Sequence, residues 1–162
     1  METRPQPKGG SVNDGPAVVP FADFYRAEFQ LQLRRATLLL GDVEAAGDAV
    51  QDAFVEIYRR WERIESPGPY LNTAVINRCR DYARSVRRRS AQLKTLIPQA
   101  TAPESHLFDR LHSLPFNQRA VLVLRYQYRF TEAETAAILG CRPGSVGPWL
   151  QRGLKTLRKE SE

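Results

Sequence analysis

The chain has 162 residues, of which 42% are hydrophobic and 26% charged, and its formal net charge is +6. This length allows one ordinary domain or two small ones, and the hydrophobic fraction supports a packed core. No apolar run approaches the roughly 18 residues of a membrane span and the N-terminus lacks an apolar signal core, so we expect a cytoplasmic protein without membrane insertion. Cys79, Cys141, His106 and His112 have no ligand-spaced neighbours, so we expect reduced thiols and neither a metal nor a cofactor.

Apolar spacing and chain breakers predict an all-α protein built as two small helical domains. Residues 1–19 are rich in proline, glycine and polar side chains and are predicted to be a disordered tail. Residues 20–89 are the predicted first domain, with helices at residues 21–40, 43–61 and from 69 or 70 to 89. The sequence Ser-Pro-Gly-Pro at residues 66–69 is predicted to be a loop.

The second predicted domain follows a flexible linker at residues 90–103, which have weak periodicity and two prolines. Residues 104–159 are predicted to hold four shorter helices, at residues 104–112, 116–126, 131–139 and from the next turn to 158. No segment alternates in polarity as a half-buried strand does, so we expect no sheet.

Charge is distributed unevenly along the chain. Residues 21–66 contain six basic and nine acidic side chains, whereas residues 67–89 contain six arginines and a single acid, Asp81. Residues 104–162 contain nine basic and six acidic side chains. One surface therefore suits a basic partner, while others suit an anion.

The arginines of the third helix lie in the segment "NRCRDYARSVRRR", residues 77–89. Such a stripe either is a solvated basic face or neutralises the phosphates of a nucleic acid, which gives affinity with little sequence information. We favour the nucleic acid because almost no acid compensates the charge. The aromatic side chains around the stripe either stack on unpaired bases or belong to the core; they are Tyr58, Trp61, Tyr70 and Tyr82.

The segment "TEAETAAILGCRPGSVGPWLQRGLKTLR", residues 131–158, predicts a helix-turn-helix. Thr131 and Glu134 form a capping box pattern, and Gly140 suits a left-handed helix end. An apolar stripe continues through the second helix at Val146, Leu150, Leu154 and Leu157. A plain helical hairpin is the alternative, but the short turn and the basic exposed face favour a DNA reader.

The position of Pro148 decides where the last helix begins. If that helix began at Pro143, Pro148 would lie in its interior at a cost of about 3 kcal/mol. If Ser145 is the N-cap, Pro148 lies in the first turn, where its missing N–H removes no bond. We therefore expect a late start, and the candidate base contacts beyond it are Arg142, Gln151, Arg152 and Lys155.

From residue 21 to residue 158 the chain resembles the extracytoplasmic-function type of RNA polymerase sigma factor, within the sigma-70 family. "GDVEAAGDAVQDAFVEIYRRW" is similar to the helix that binds core polymerase, and "YLNTAVINRCRDYARSVRR" is similar to the promoter-melting segment. The stretch from "LHSLPFNQRAV" to "GPWLQRGLKTLR" resembles the C-terminal region. The resemblance implies a non-enzymatic subunit that is monomeric when free and binds core RNA polymerase, promoter DNA and an anti-sigma factor.

The resemblance also implies roles for individual residues. Those that match core-polymerase-binding positions are Asp48, Gln51, Asp52 and Phe54. Those expected at the minus-10 element and its melting are Trp61, Tyr70, Asn77, Arg78, Asp81, Arg84, Arg87 and Arg88, and residues 65–70 would help to capture a flipped-out base. Those expected at the minus-35 element are Arg142, Ser145, Trp149, Gln151, Arg152 and Lys155.

Two departures from the family pattern keep alternatives open. Gly47 stands where a glutamate is usual, and residues 147–149, Gly-Pro-Trp, replace a run of basic and hydroxyl side chains. We therefore expect an atypical upstream element or loose upstream specificity. One alternative hypothesis is a stand-alone dimeric helix-turn-helix regulator, and another is a sigma-like protein that lacks initiation activity and sequesters a partner. A third, less favoured, is a nuclease that uses Asp48 and Asp52.

Overall fold

The computed structural model describes residues 19–92 and 106–159, so residues 1–18 of the predicted tail and most of the predicted linker lie outside the described residues. The described part is helical with no strand, which confirms the predicted all-α class. Its helices are α1 (Phe21–Leu40), α2 (Val43–Arg59), α3 (Pro67–Gln92), α4 (His106–Ser113), α5 (Phe116–Leu122), α6 (Glu132–Leu139) and α7 (Pro143–Lys159). None of these helices is long and apolar enough to cross a membrane.

The first bundle consists of α1, α2 and α3, which pack on one another around side chains at helical spacing. Val50, Phe54 and Ile57 of α2 are buried against Leu71 and Val75 of α3 in the same core cluster. Burial of each such side chain contributes roughly 1.5–3 kcal/mol relative to leaving it exposed. At the start of α2 the carboxylate of Asp42 accepts hydrogen bonds from the Glu44 and Ala45 amides, at 2.9 and 3.2 Å, and so caps the helix.

Three boundaries in the first bundle differ from the sequence-based prediction. α3 ends at Gln92, inside the predicted linker, and not at residue 89. α2 ends at Arg59, and a short 3-10 turn covers Trp61–Arg63. The predicted loop at residues 66–69 is wrong, because α3 begins at Pro67 and the Tyr70 amide donates to the Ser66 carbonyl at 3.3 Å. Both prolines lie in the first turn, where a missing backbone donor costs nothing.

The second bundle consists of α4 to α7, with a π-helical turn at Val123–Gln127 after α5. The capping box before α6 is confirmed: Thr131 Oγ1 accepts from the Glu134 amide at 3.1 Å, and the Thr131 amide donates to the Glu134 carboxylate at 2.8 Å. Gly140 ends α6 in the left-handed conformation, with φ of 65°. The capping signals therefore predicted both ends of this helix correctly.

The predicted late start of α7 is wrong. α7 begins at Pro143, and Pro148 lies inside it, so Ser145 is not the N-cap. The Ser145 amide instead donates to the Arg142 carbonyl at 2.9 Å, within the first turn of the helix. The side chain of Val146 is completely buried. We attribute the early start to this burial, which ties the first turn to the core and offsets the cost of the proline.

The two bundles contact each other directly. α3 packs against α6, α1 packs against α4 and α5, and a single core cluster contains side chains of both bundles. At the turn between α1 and α2, Gly41 has φ of 68°, and a Cβ atom there would lie 2.8 Å from Nε2 of His112 on α4. The His112 ring is held in place because its Nδ1 lies 2.6 Å from the Phe108 carbonyl oxygen.

This close approach predicts different effects for two chemically identical substitutions. Gly41→Ala and Gly140→Ala each place an alanine at positive φ, which costs about 1–2 kcal/mol. Only at Gly41 does the new methyl also meet a neighbour, since nothing lies within 4 Å of a Cβ at Gly140. We expect a clearly larger loss of unfolding free energy for Gly41→Ala in urea denaturation. Equal losses would contradict the contact between the bundles at this point.

Candidate polymerase and nucleic-acid interface

An acidic face lies on the outer side of α2. Asp48, Gln51 and Asp52 are exposed there, and the helix continues without interruption through Gly47. Phe54 is only 2% exposed and lies in an aromatic cluster with its ring centroid 4.7 Å from that of Tyr25. The expectation that Phe54 faces a partner is therefore corrected, because its side chain supports the helix from the core.

The arginines of α3 fall into two groups. Arg78 pairs with Glu56 at 3.2 Å, and half-buried Arg80 donates to the Leu139 carbonyl of α6 at 2.9 Å. The remaining four are exposed and have no ion pair among the described residues; they are Arg84, Arg87, Arg88 and Arg89. We define this group as the arginine face. Its positive charge is accessible to a polyanion, whereas Arg78 and Arg80 help to hold the fold together.

A cleft of about 710 Å³ lies at the start of α3. Its lining includes Tyr70 and Asn77 together with residues of the turn before α3. The Tyr70 hydroxyl donates to Glu56 at 2.9 Å and accepts from Arg60 at 3.1 Å, so the ring is fixed at the cleft wall. Trp61 instead packs on Phe24 at a centroid distance of 5.2 Å, and its ring is partly buried in the aromatic cluster.

The outer face of α7 carries the polar residues predicted to contact bases. Gln151, Arg152 and Lys155 are exposed and line a shared shallow groove. Arg142 is exposed just before the helix, and Ser145 is half-buried in the first turn. Trp149 is also half-buried, packs against the core and lines a cleft that residues of α3 also line. The structure therefore separates Trp149 from the exposed polar face.

A buried arginine joins the two bundles. Arg35 of α1 is 2% exposed, and its guanidinium lies 4.4 Å from the ring centroid of Tyr128 and 5.2 Å from that of Phe130, both in the second bundle. Its Nη1 donates to Asn72 Oδ1 at 2.6 Å. Burial lowers the pKa of Arg35, partly offset by Tyr128. Cation–π contacts of this kind contribute about 2 kcal/mol when desolvated.

Sequence reasoning missed Arg35 and its aromatic partners. One feature of the sequence could have indicated a buried charge. Arg35 lies close to the apolar Leu33 and Ala36, on the inward side of α1. A helix inserted into a core rarely places a charge there without a partner. That partner comes from the π turn and the residues after it, about 90 positions later in the chain, and no local pattern indicates such a pairing.

The fold and surfaces together define a two-domain DNA-binding protein with a C-terminal helix-turn-helix. Residues 24–89 match the family model described as Sigma-70 region 2, and residues 107–157 match Sigma-70, region 4. The chain is 34% identical over 153 residues to an RNA polymerase sigma-E factor of Streptomyces coelicolor, covering 88% of this chain and 86% of that protein. It is 33% identical over 157 residues to an RNA polymerase sigma-E factor of Streptomyces avermitilis, covering 90% and 87%.

Two solved structures share the fold. The sigma factor RpoE in complex with the anti-sigma factor NepR from Bartonella quintana matches with a TM-score of 0.67, at 20% identity over 86% of this chain and 94% of that chain. CnrH in complex with the cytosolic domain of CnrY matches with a TM-score of 0.62, at 21% identity over 86% and 85%. The chain belongs to the sigma-70 family of RNA polymerase sigma factors, and it is of the extracytoplasmic-function type.

The contact between Arg35 and Tyr128 predicts energetic coupling between the bundles. In a double-mutant cycle with Arg35→Ala and Tyr128→Ala, we expect a coupling energy of about 1–2 kcal/mol in urea unfolding. The matched control is Arg26→Ala with Tyr128→Ala, because Arg26 is exposed on the same helix and pairs with Asp23 instead. We expect this control pair to be additive. Additive effects for Arg35 and Tyr128 as well would show that the bundles do not meet there in solution.

His112 predicts a pH dependence of the packed arrangement. Burial lowers the pKa of His112 below its usual 6.5, Arg119 acts in the same direction, and the Phe108 carbonyl and Asp109 oppose both. The unfolded chain therefore binds a proton at His112 more readily than the folded chain does. The contribution of the neutral ring to the free energy of unfolding is complete above pH 6.5, and it is lost as the pH falls toward the folded-state pKa. Between pH 7 and about 5.5, we expect the melting temperature to fall further for the natural chain than for His112→Gln. Identical drops would contradict the prediction.

Proposed function

We propose that this sigma factor binds core RNA polymerase through the acidic face of α2 and opens promoter DNA along the arginine face of α3. The observation that carries the proposal is that Arg84, Arg87, Arg88 and Arg89 are exposed and unneutralised on one helix. Such a face neutralises phosphates and retains a separated strand through its charge. The protein would act by binding, while polymerase makes the bonds.

The cleft beside Tyr70 favours capture of a base from the opened strand. Flipping a base out of the stack costs a few kcal/mol, which contacts in a pocket must offset. Tyr70 offers a ring fixed by Glu56 and Arg60, and exposed Asn77 at the same cleft offers an amide for hydrogen bonds. Minus-10 recognition would therefore combine this cleft with the adjacent arginine face. Trp61 would act indirectly, by holding α1 against α2.

The exposed face of α7 is the proposed reader of the upstream element. Gln151, Arg152 and Lys155 can donate hydrogen bonds to base edges or phosphates. Gly147 and Pro148 add no such donors, and Trp149 is half-buried and lines a cleft together with α3. This small set of donors supports a loose or atypical minus-35 specificity.

The remaining partners follow from the same proposal. The two solved relatives are complexes with an anti-sigma factor and with the cytosolic domain of CnrY, which supports an inhibitory protein partner for this chain. We place its action in the cytoplasm, where polymerase and the chromosome are, and propose a monomer with no catalytic residue of its own. The acidic residues Asp48 and Asp52, with the neutral Gln51 between them, would meet a basic surface of the polymerase.

Run-off transcription tests this function directly. Purified core polymerase and this protein would be incubated with sheared DNA from the same source, and new start sites mapped. We expect discrete starts, and their aligned upstream sequences show what α7 reads. Arg88→Gln should weaken promoter binding by about tenfold through the lost charged contact, whereas Arg26→Gln, an exposed arginine of α1, should not.

Three results would overturn parts of the proposal. Core binding without new start sites would favour a sigma-like protein that sequesters its partner. Absence of both core binding and start sites would instead favour a stand-alone regulator. A strong six-base consensus upstream of every mapped start would refute loose minus-35 specificity.

A further inference from the structure

A basic cleft lies between the two bundles, apart from the surfaces assigned above to polymerase and to the upstream element. Its volume is about 490 Å³, and it lies between the C-terminal half of α3 and the segment that joins α4 to α5. The arginines that line it are Arg80, Arg84, Arg87 and Arg119, and the imidazole of His112 also lines it. No aspartate or glutamate is among the described residues of its lining.

Arg119 shows that this cleft lacks a counter-charge within the described chain. The residue is 8% exposed, and its Nε finds no hydrogen-bond partner among the described residues. Its neighbour Cys79 does not supply an anion, because burial raises the pKa of that thiol to about 12. The Phe116 ring lies 5.8 Å from the guanidinium and supplies only a weak, uncharged contact. No ion pair of the described residues includes Arg119, so an anion in the cleft would supply its counter-charge.

Further basic side chains line the same cleft. His112 lines it from α4, although its Nε2 faces Gly41 in the turn between α1 and α2. Arg84 and Arg87 approach from α3 and are exposed, so their guanidinium groups are available to a ligand. Guanidinium groups bind phosphate oxygens in pairs, with geometry that a single chloride does not satisfy.

We propose that this interdomain cleft binds a small polyphosphate anion. Four arginines with no acid in the described lining favour a ligand of several negative charges, and a volume of about 490 Å³ is in the range of a nucleotide-sized ligand rather than a duplex. Trp149 forms part of the wall and offers an aromatic face. The shared chemistry is the polyphosphate, and its source is either an inorganic chain or a nucleoside polyphosphate.

Occupation of the cleft has two consequences. The anion contacts α3 of the first bundle and Arg119 of the second, so it stabilises their packed arrangement. It also uses Arg84 and Arg87, which belong to the arginine face, so it competes with promoter DNA. This competition rests on the proposed function, whereas anion binding itself does not.

Isothermal titration of the full chain at constant ionic strength tests the binding. The probes are inorganic tripolyphosphate and ATP, compared with sodium chloride at equal ionic strength. We expect one saturable site per chain for the polyphosphate probes. Arg84→Gln and Arg119→Gln should each weaken it by about tenfold, as expected for loss of a charged hydrogen bond. Arg89→Gln is the matched control, because it removes the same charge from the same helix outside the cleft, and its affinity should be nearly unchanged.

The outcomes separate the site from general charge attraction. No saturable binding, or equal weakening by Arg84→Gln and Arg89→Gln, would overturn the proposal. Arg84 is exposed, so its variant remains informative even if Arg119→Gln fails to fold. Tighter binding of ATP than of tripolyphosphate would assign a nucleoside ligand, and equal affinities would assign the inorganic chain. A chain that binds polyphosphate but starts no transcription would refute the proposed function alone.

Discussion

The buried guanidinium of Arg35 is the interaction on which the arrangement of this protein depends. It lies at the point where α1 of the first bundle meets Tyr128 and Phe130 of the second. Asn72 Oδ1 accepts hydrogen bonds from both Gln32 and Arg35, at 2.9 and 2.6 Å, which fixes the charge in position. An arginine suits this place because its flat cation can stack on rings while its N–H groups bond in the plane. The packing of the two bundles therefore combines polar and aromatic contacts.

That packing decides which basic residues are available for DNA. Arg80 donates to the Leu139 carbonyl and Arg78 pairs with Glu56, so both side chains also help to stabilise the fold. The accessible charge lies farther along α3, where the helix also forms one wall of the interdomain cleft. Stability and nucleic-acid binding thus use different arginines of one helix. The position of the second bundle determines how much of the DNA-facing surface of α3 is open.

Prolines show how local rules and tertiary contacts compete. At Pro67 the local rule alone would have predicted the helix start correctly, because a proline in the first turn of a helix sacrifices no hydrogen bond. At Pro148 the same rule predicted a late helix start, yet α7 begins at Pro143 and contains the proline. Val146, which is fully buried, lies between Pro143 and Pro148. Burial of Val146 contributes roughly 1.5–3 kcal/mol and so offsets much of a backbone cost of about 3 kcal/mol, and a rule that counts only backbone donors cannot include that term.

The sequence by itself determined the class of fold, most helix boundaries, the capping box at Thr131, the arginine-rich helix and the family. Each of these follows from residues close together in the chain, where periodicity and capping act. Only the tertiary structure decided that Trp149 lines a cleft together with α3 and that Arg35 meets Tyr128. It also brought Arg119 beside Arg84 and Arg87. These pairings join positions that are distant in sequence, so they depend on how the two bundles pack, and no local pattern encodes that packing.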